Sequence, residues 1–529
     1  MSKKLLLVLV ALVAAATFAM AQSTKFANGD TLRILTANVE VDDKDYNTFA
    51  KNPSDFPILQ KVEELTGLKL VIEAVNSNDY GTVLLPRIAA KTNLPDVFVQ
   101  GGGFDIVKYA TDGVIIPIEG LIKANAPETV ALWKQYPDIQ HDTTAPDSHI
   151  YGYPGRVSPY DNSYNILGMV YRSDWATKLG IKDPDTIADW YKMLTAFLTK
   201  DPNGNGKADE IPYLGQSDNN LYCFANAYGL SPWNDWWSVT KAGKVVFDFT
   251  ADETKAKAKA WLTEMNKWFK EKLIDQEYLV DHGDKMDAEV LTNIGGAKLA
   301  WTAAADDWNS QMKKDTPSVK WIVAYPPKGP QGDRGSEQYG PVNNERWMVT
   351  TACKNPVLAV KWMNFMFATQ QGMDLRNWGI EGVTYTVQNG KHVFTDAANN
   401  SRYGAGQAGT YLTSLGASRW PWVWTKESIG IIYGSTTPEY QARLATIEKN
   451  GWFRRGFYFG SMAATKGESA ATSGLLSDIS TYRNEMVQKF IVGTEPLANY
   501  DAFVAQLKKL GIDAVSNIKQ IQYNRFMGK

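Results

Sequence analysis

The chain predicts an α/β protein: two doubly wound α/β lobes joined by a hinge with multiple crossovers, followed by a helical C-terminal region. Three observations carry this. The first hundred residues alternate strand and helix patterns with short links, which indicates a parallel, doubly wound sheet. Pro/Gly-rich stretches at Tyr151–Pro159 and Tyr325–Pro341 interrupt the pattern, and it restarts after each. The full 529 residues exceed what one hydrophobic core supports.

Each element has its own signal. Thr31–Val39 reads as a strand. Pro57–Thr66 reads as a helix, with Asp55 as cap, Ile58, Leu59, Val62 and Leu65 on one face, and Gly67 as the stop. Leu68–Val75 is a strand, Val83–Lys91 a helix, and Asp96–Gln100 a short apolar strand running into Gly101-Gly102-Gly103. Ligands of such sheets sit beyond the carboxyl ends of the strands, which singles out Asn38, Gln100 and Gly101. Past the first break, Ile166–Tyr171 is a strand, and Thr186 caps a helix carrying Ile187, Trp190, Leu194, Phe197 and Leu198. Lys255–Lys270 is a helix and Lys298–Trp301 a strand; Trp347–Thr351 and Pro356–Thr369 repeat the pair after the second break. Helices from Gly474 to Ile491 and on either side of Gly511 close the chain.

The N-terminus and the composition bound the class. Lys3 and Lys4, the apolar run Leu5–Ala16 and the small-x-small Ala19-Met20-Ala21 read as a secretory signal peptide, cleaved near Ala21. A retained N-terminal anchor is the alternative. No cysteine follows the apolar run to take a lipid, so the expectation is an exported, periplasmic protein. Its formal net charge of -2 argues against a nucleic-acid partner. Two cysteines, Cys223 and Cys353, make no disulfide framework, and four histidines without His-x-x-x-His spacing argue against zinc.

Asp201-Pro202-Asn203-Gly204-Asn205-Gly206-Lys207-Ala208-Asp209-Glu210-Ile211-Pro212 has the spacing of an EF-hand-type calcium loop. Asp201, Asn203, Asn205 and Asp209 supply side-chain oxygens at positions 1, 3, 5 and 9, Gly206 the turn at position 6, and Lys207 a carbonyl. Pro212 displaces the usual position-12 glutamate, and Glu210 is the substitute. Every position is filled by protein, so a Ca²⁺ ion here would be structural. The alternative is a polar Asx/Gly turn.

Several stretches together resemble the extracellular solute-binding proteins of ABC sugar importers. These are Asn93–Phe98, Asp112–Ile118, Gly168–Trp175, Lys298–Thr302, Phe490–Thr494 and Gln522–Phe526, in that order. The Asp201–Pro212 segment is similar to the calcium loop of the subgroup that contains the alginate-oligosaccharide-binding proteins. The resemblance implies a periplasmic-binding-protein-like fold, an oligosaccharide ligand and a membrane permease as partner; nothing in the sequence points to an oligomer, so a monomer is the default expectation. It implies Ca²⁺ held by Asp201, Asn203, Asn205, the Lys207 carbonyl, Asp209 and Glu210. The lobes are expected as 22–158 and 328–370 for the first, and 159–327 and 371–529 for the second.

A sugar offers hydroxyl edges and apolar C–H faces, so aromatic platforms and directed polar groups are the features to seek. Trp420, Trp422 and Trp424 alternate and share one face of an extended segment. Trp236 and Trp237 lie in an irregular segment. Asp306, Asp307 and Trp308 follow a strand; the acids can bind vicinal hydroxyls or cap the next helix. Arg156 and Tyr160 fall on the first crossing and Arg346 on the second, where arginine would grip an acidic sugar. Each tryptophan and arginine has an alternative as core or hinge. A polysaccharide hydrolase or lyase is the competing function, although adjacent Asp306 and Asp307 suit paired-carboxylate chemistry poorly. A peptide binder of the same fold is the third.

Overall fold

The computed structural model describes residues 25–37, 56–75, 79–100, 106–157, 167–215, 221–279, 288–302, 304–338, 342–343, 345–401, 404–405, 408–417, 421–425, 427–428, 437–455 and 464–528. The signal peptide, Asn38, Gly101, Tyr160 and Trp420 lie outside them. The chain forms two compact units, one from Met1–Pro159 and Val342–Ser428, the other from Tyr160–Pro341 and Ile429–Lys529.

The first leg of unit 1 follows the expected alternation. Strand β1 (Thr31–Ala37), helix α1 (Pro57–Thr66), β2 (Lys69–Val75), α2 (Tyr80–Ala90) and β3 (Val97–Gln100) come in order, and β1 pairs in parallel with both β2 and β3. Helix α1 buries Ile58, Leu59, Val62 and Thr66, and its cap position is Phe56, without a side-chain bond. Gly67 ends it at φ 74°. A Cβ on Gly67 would stand 2.0 Å from the Ala27 carbonyl oxygen, so both the left-handed backbone and the close approach require glycine. Two short strands, β4 (Gly152–Pro154) and β5 (Arg156–Val157), end the leg.

Unit 2 begins with β6 (Leu167–Arg172) and helix α3 (Ile187–Thr199), which opens on a reciprocal capping box between Thr186 and Asp189. Strands β7 (Trp237–Val239) and β8 (Val245–Phe247) form a hairpin ahead of α4 (Lys255–Lys270). Then come β9 (Ala297–Trp301), α5 (Ala304–Met312) and β10 (Trp321–Val323). The sheet order is β10-β6-β9, with both pairings antiparallel. Its core is aromatic: Trp175, Trp190, Trp236, Trp261, Trp268, Phe197 and Phe224 are all buried in one cluster. Several of these rings meet edge to face, as in Trp190–Phe224 at 5.4 Å and Trp175–Phe197 at 5.3 Å.

Back in unit 1, β11 (Arg346–Val349) inserts antiparallel between β3 and β4 and completes a mixed sheet of order β2-β1-β3-β11-β4. Helices α6 (Pro356–Ala368) and α7 (Gln370–Asn377), the hairpin β12 (Tyr385–Gln388) and β13 (Lys391–Phe394), and β14 (Trp422–Val423) follow. The expected boundary after residue 370 is therefore not where the chain leaves unit 1. Helix α7 folds back on α6, with Gly372 against the Phe365 carbonyl, and Asn377 donates to the Val423 carbonyl at 3.2 Å. In unit 2, α8 (Pro438–Lys449), α9 (Lys466–Val492), α10 (Tyr500–Lys509) and α11 (Ile512–Phe526) finish the chain. Asn266 of α4 donates to the last-turn carbonyls of Phe490 and Ile491 in α9 at 2.8 and 3.1 Å.

Substituting Gly67→Ala should destabilise the protein by roughly 2 kcal/mol or more, combining left-handed strain with the carbonyl clash. Urea denaturation monitored by far-UV circular dichroism reads this directly; an unchanged midpoint would contradict it.

Candidate ligand and cation sites

Three sequence-distant stretches of unit 1 meet in one small group of strands. Val157 bridges antiparallel to Val342, while β14 pairs in parallel with β5 through Trp422↔Arg156 and Val423↔Val157. The Arg156 N–H donates to Asn343 Oδ1 at 2.8 Å, the Asn343 N–H to the Arg156 carbonyl at 3.0 Å, and the Trp424 N–H to the Val157 carbonyl at 2.9 Å. These are the ends from which the chain leaves unit 1 or re-enters it. The guanidinium of Arg156 is half-buried and makes no hydrogen bond to another described residue.

Trp422 and Trp424 lie on one side, as the alternation predicts, with ring centroids 4.4 Å apart. Both are buried. The Arg376 guanidinium stacks 3.9 Å over Trp422, a cation–π contact absent from the sequence reading because α7 lies far away in the chain. Gln100 ends β3 half-buried, directly opposite Arg346.

Arg346 does not offer a fork to a ligand. It is buried, and its guanidinium donates to the carbonyls of Asn343, Glu345 (2.9 Å) and Asp142 (2.9 Å). Burial pulls its pKa down to about 10, against the opposing pull of Asp142 and Glu345. Three carbonyl dipoles solvate the cation inside the fold, and none of that donor capacity is aimed at a solute.

Trp236 and Trp237 are core residues. Each is 1% exposed. Trp236 sits at φ 67°, which turns its ring inward onto Phe249 (4.6 Å) and Trp261 (5.0 Å). Trp237 faces Phe247 across the β7–β8 hairpin at 4.9 Å. The irregular local pattern hid a tertiary pocket built by α4.

At the head of α5, Asp306 accepts from the Thr437 N–H at 2.7 Å and faces the Thr437 hydroxyl at 3.3 Å, so it ties down the residue that caps α8. Burial raises its pKa. Asp307 is half-buried beside it. Trp308 is buried against Trp321 at 5.3 Å, with the Lys298 ammonium 4.9 Å over its ring.

The residue that sequence reasoning passed over is Trp301. Among the described residues it is the one exposed tryptophan, at 45%. It ends β9, opposite Leu167 at the start of β6. The available signal was its place as the last residue of an otherwise buried strand.

The Asp201–Pro212 loop is curled from within. Asp201 (φ 44°), Gly204 (77°) and Gly206 (74°) all take left-handed backbone. Asp201 Oδ1 accepts from the N–H groups of Gly204 and Asn205 at 2.9 and 3.1 Å, and Oδ2 from Gly206 at 3.0 Å. Asn205 Oδ1 accepts from the Lys207 N–H at 2.8 Å, and the amides of Asn203 and Asn205 reach Asp209 at 3.0 and 3.1 Å. Glu210 is buried, and its Oε1 has no hydrogen-bond partner. Burial raises its pKa, and the charges of Asp201 and Asp209 push the same way. Among the described residues no group of three or more His, Cys, Asp or Glu side chains is disposed to hold a metal. The oxygen set of this loop instead mixes carboxylates with asparagine amides.

Arg156, Trp422 and Trp424 are thus brought together within unit 1, and Trp301 stands exposed in unit 2. The bacterial extracellular solute-binding protein family matches residues 52–373, well over half of the chain, and the chain belongs to that family. It is 30% identical over 387 residues to the fructooligosaccharide ABC transporter substrate-binding protein FusA of Streptococcus pneumoniae serotype 4, across 70% of this chain and 66% of FusA. It is 26% identical over 225 residues to the polygalacturonan/rhamnogalacturonan-binding protein YtcQ of Bacillus subtilis, across 41% of this chain and 43% of YtcQ. The chain thus aligns with about two thirds or less of the length of these relatives. Its fold matches the alginate-binding protein AlgQ2 crystallised without calcium ion, with a TM-score of 0.77 and 26% identity over 95% of this chain and 99% of AlgQ2. It also matches FusA in complex with kestose, with a TM-score of 0.74 and 23% identity over 94% and 100% of the two chains. The periplasmic-binding-protein-like fold expected from the sequence is the one observed.

Trp236→Ala should cost about 3–5 kcal/mol of stability, the usual loss for a large aromatic removed from a packed core. Chemical denaturation checks this. A variant of unchanged stability with weakened sugar binding would return Trp236 to the ligand.

Proposed function

We propose that this protein is the substrate-binding component of an ABC importer that captures an oligosaccharide and delivers it, chemically unaltered, to a membrane permease. Family membership together with the likeness to FusA and YtcQ carries the reading. The exposed indole of Trp301 supports it, since a flat apolar face is what a sugar ring stacks on. Trp422, Trp424 and the half-buried Arg156 form the second set of candidate contacts. No helix among the described residues is long and apolar enough to cross a membrane, and the Lys3–Ala21 segment supports export to a periplasm. The hydrolase or lyase reading has less support, because it needs two carboxylates poised across a groove. Asp306, one of its candidates, is engaged by Thr437.

We propose further that Asp201, Asn203, Asn205, the Lys207 carbonyl, Asp209 and Glu210 hold a structural Ca²⁺ ion. The partnerless, buried Glu210 oxygen supports this, as does the mutual repulsion of three carboxylates, which a divalent cation relieves. A raised carboxylate pKa means that ionised Glu210 costs stability above its folded pKa, and that the cost vanishes below the unfolded one. Bound calcium removes the cost. EGTA should therefore lower the melting temperature at neutral pH and have less effect as the pH falls toward the carboxylate range. Asp209→Ala should mimic EGTA. A melting temperature indifferent to both would reduce the loop to a turn.

In a thermal-shift panel of neutral and acidic oligosaccharides, including kestose and oligogalacturonides, at least one should raise the melting temperature and be recovered intact. Trp301→Ala should weaken binding of that sugar by about tenfold, the loss of one stacked ring. Cleavage of the sugar would overturn the binding-only function, and unaltered affinity would remove Trp301 from the site.

A further inference from the structure

We propose that the cavity bounded by α5, β10 and α8 in unit 2 is a second binding site, and that it takes a small hydroxylated carboxylate the size of a hexonic acid. The cavity holds about 450 Å³, within the range of about 300–1,000 Å³ usual for small-molecule sites. Its walls are two helices that are polar where they face it. Asp306, Asn309, Ser310 and Lys313 recur at helical spacing along α5 and just past its end, and all four line the cavity. The positions between them, Ala305, Trp308 and Met312, are buried in an apolar cluster. From α8 come Glu439, Tyr440 and Arg443, preceded by the capping residue Thr437.

The floor is the free edge of β10. Ile322 lies opposite Tyr171 of β6. On either side of it, the Ser173 N–H donates to the Lys320 carbonyl and the Ala324 N–H to the Met169 carbonyl, both at 2.8 Å. Antiparallel pairing alternates, so the main-chain groups of Trp321 and Val323 point away from β6. Side chains stand in for the missing strand. Asn309 Oδ1 accepts from the Trp321 N–H at 2.6 Å, and its Nδ2 donates to the Trp321 carbonyl at 2.8 Å. Arg443 donates to the Val323 carbonyl at 3.0 Å. The Val323 N–H is left over: the residue is buried, yet this donor has no hydrogen-bond partner among the described residues. A buried N–H costs free energy until an acceptor reaches it.

The other groups around the cavity define the molecule that carries this acceptor. Lys320 is paired with Glu439 at 2.8 Å and Arg443 with Asp183 at 2.7 Å. Lys313 has no ion-pair partner among the described residues, and the Ser310 hydroxyl no hydrogen bond. A carboxylate answers the Lys313 ammonium. At the other end of α5, Asp306 and the exposed Glu439 carboxylate accept from hydroxyls. Asp306 and Lys313 are seven residues apart, about 10 Å along a helix axis, a gap that a six-carbon hydroxy acid bridges between side chains. A neutral polyol would leave Lys313 unanswered, and a simple anion would leave the two acids facing it without donors. Nothing in this reading depends on the protein being an importer.

Isothermal titration calorimetry of the full-length protein tests it, with gluconate as ligand and glucitol, which has a hydroxymethyl in place of the carboxylate, as control. Gluconate should bind once per chain, and glucitol about tenfold more weakly, the loss of one hydrogen bond to a charged group. Lys313→Ala should weaken gluconate by a similar factor. Ser310→Leu, which fills the cavity from an exposed position, should abolish binding. Trp301→Ala should leave the gluconate affinity as it is, since Trp301 does not line the cavity. No binding at about 10 mM gluconate would mean a cavity that holds water only, and would overturn the site. Equal affinity for glucitol, or gluconate binding that survives both Lys313→Ala and Ser310→Leu, would do the same. So would binding lost in Trp301→Ala and kept in Lys313→Ala, which would put gluconate on the sugar platform. Should Ser310→Leu fail to fold, the glucitol comparison and Lys313→Ala still decide. Failure of every sugar in the thermal-shift panel would sink the importer reading and leave this result standing.

Discussion

A few main-chain hydrogen bonds joining Gly155–Val157, Val342–Asn343 and Trp422–Trp424 are the constraint on which the arrangement of unit 1 depends. The three stretches are separated by well over a hundred residues of unit 2 and by several helices and strands of unit 1. Backbone groups removed from water must find partners, and here they find one another. Once paired, they fix where the chain can leave the unit. They also bring Arg156, Trp422 and the Arg376-bearing helix together, although nothing in their spacing marks them as neighbours.

Such a junction combines stiffness with small size. The pairings are only two residues long, so the crossings are held by directional bonds and by a few buried side chains such as Val157, Val342 and Trp422. Polar anchors then decide how firmly each stays in place. Arg346 is fastened by main-chain carbonyls of Asn343, Glu345 and Asp142. Glu427 is fastened by the backbone N–H and the imidazole of His392. Two crossings of one unit are therefore tied by chemically different means.

Local signals in the sequence located the alternating elements of the first leg of unit 1 and several long helices of unit 2, but not the four short helices between Ile106 and Thr143. The helix Pro57–Thr66 falls where its apolar spacing, leading proline and terminal glycine place it, and Thr186 forms its cap with Asp189, because these preferences act within a few residues. The curl of the Asp201–Pro212 loop was legible for the same reason: Asp201 reaches no farther than Gly206 to close it. What local pattern could not show was which face of an irregular segment meets a distant helix. Trp236 and Trp237 read as loop tryptophans until α4 and the β7–β8 hairpin enclosed them. Arg346 read as a hinge cation until the Asp142 carbonyl, some two hundred residues earlier in the chain, came to meet it. The return at residue 428 was invisible because α7 turns back on α6 through the single close approach of Gly372.

The distribution of aromatics in unit 2 carries a further point about how such a protein holds a ligand. Its tryptophans serve rigidity: Trp175, Trp190, Trp236, Trp261 and Trp268 are buried in one aromatic cluster, and β9 and β6 contribute to it while paired along their length. Trp301 ends a strand fixed in this way, so its indole is presented with its backbone already ordered. Ordering a contact residue at the moment of binding costs about 0.5–1.5 kcal/mol per side chain, and a platform whose backbone is fixed beforehand loses less of its stacking energy to that cost. On the proposed function, Trp236, read from the sequence as a ligand contact, would serve recognition indirectly, by helping to keep the exposed Trp301 still.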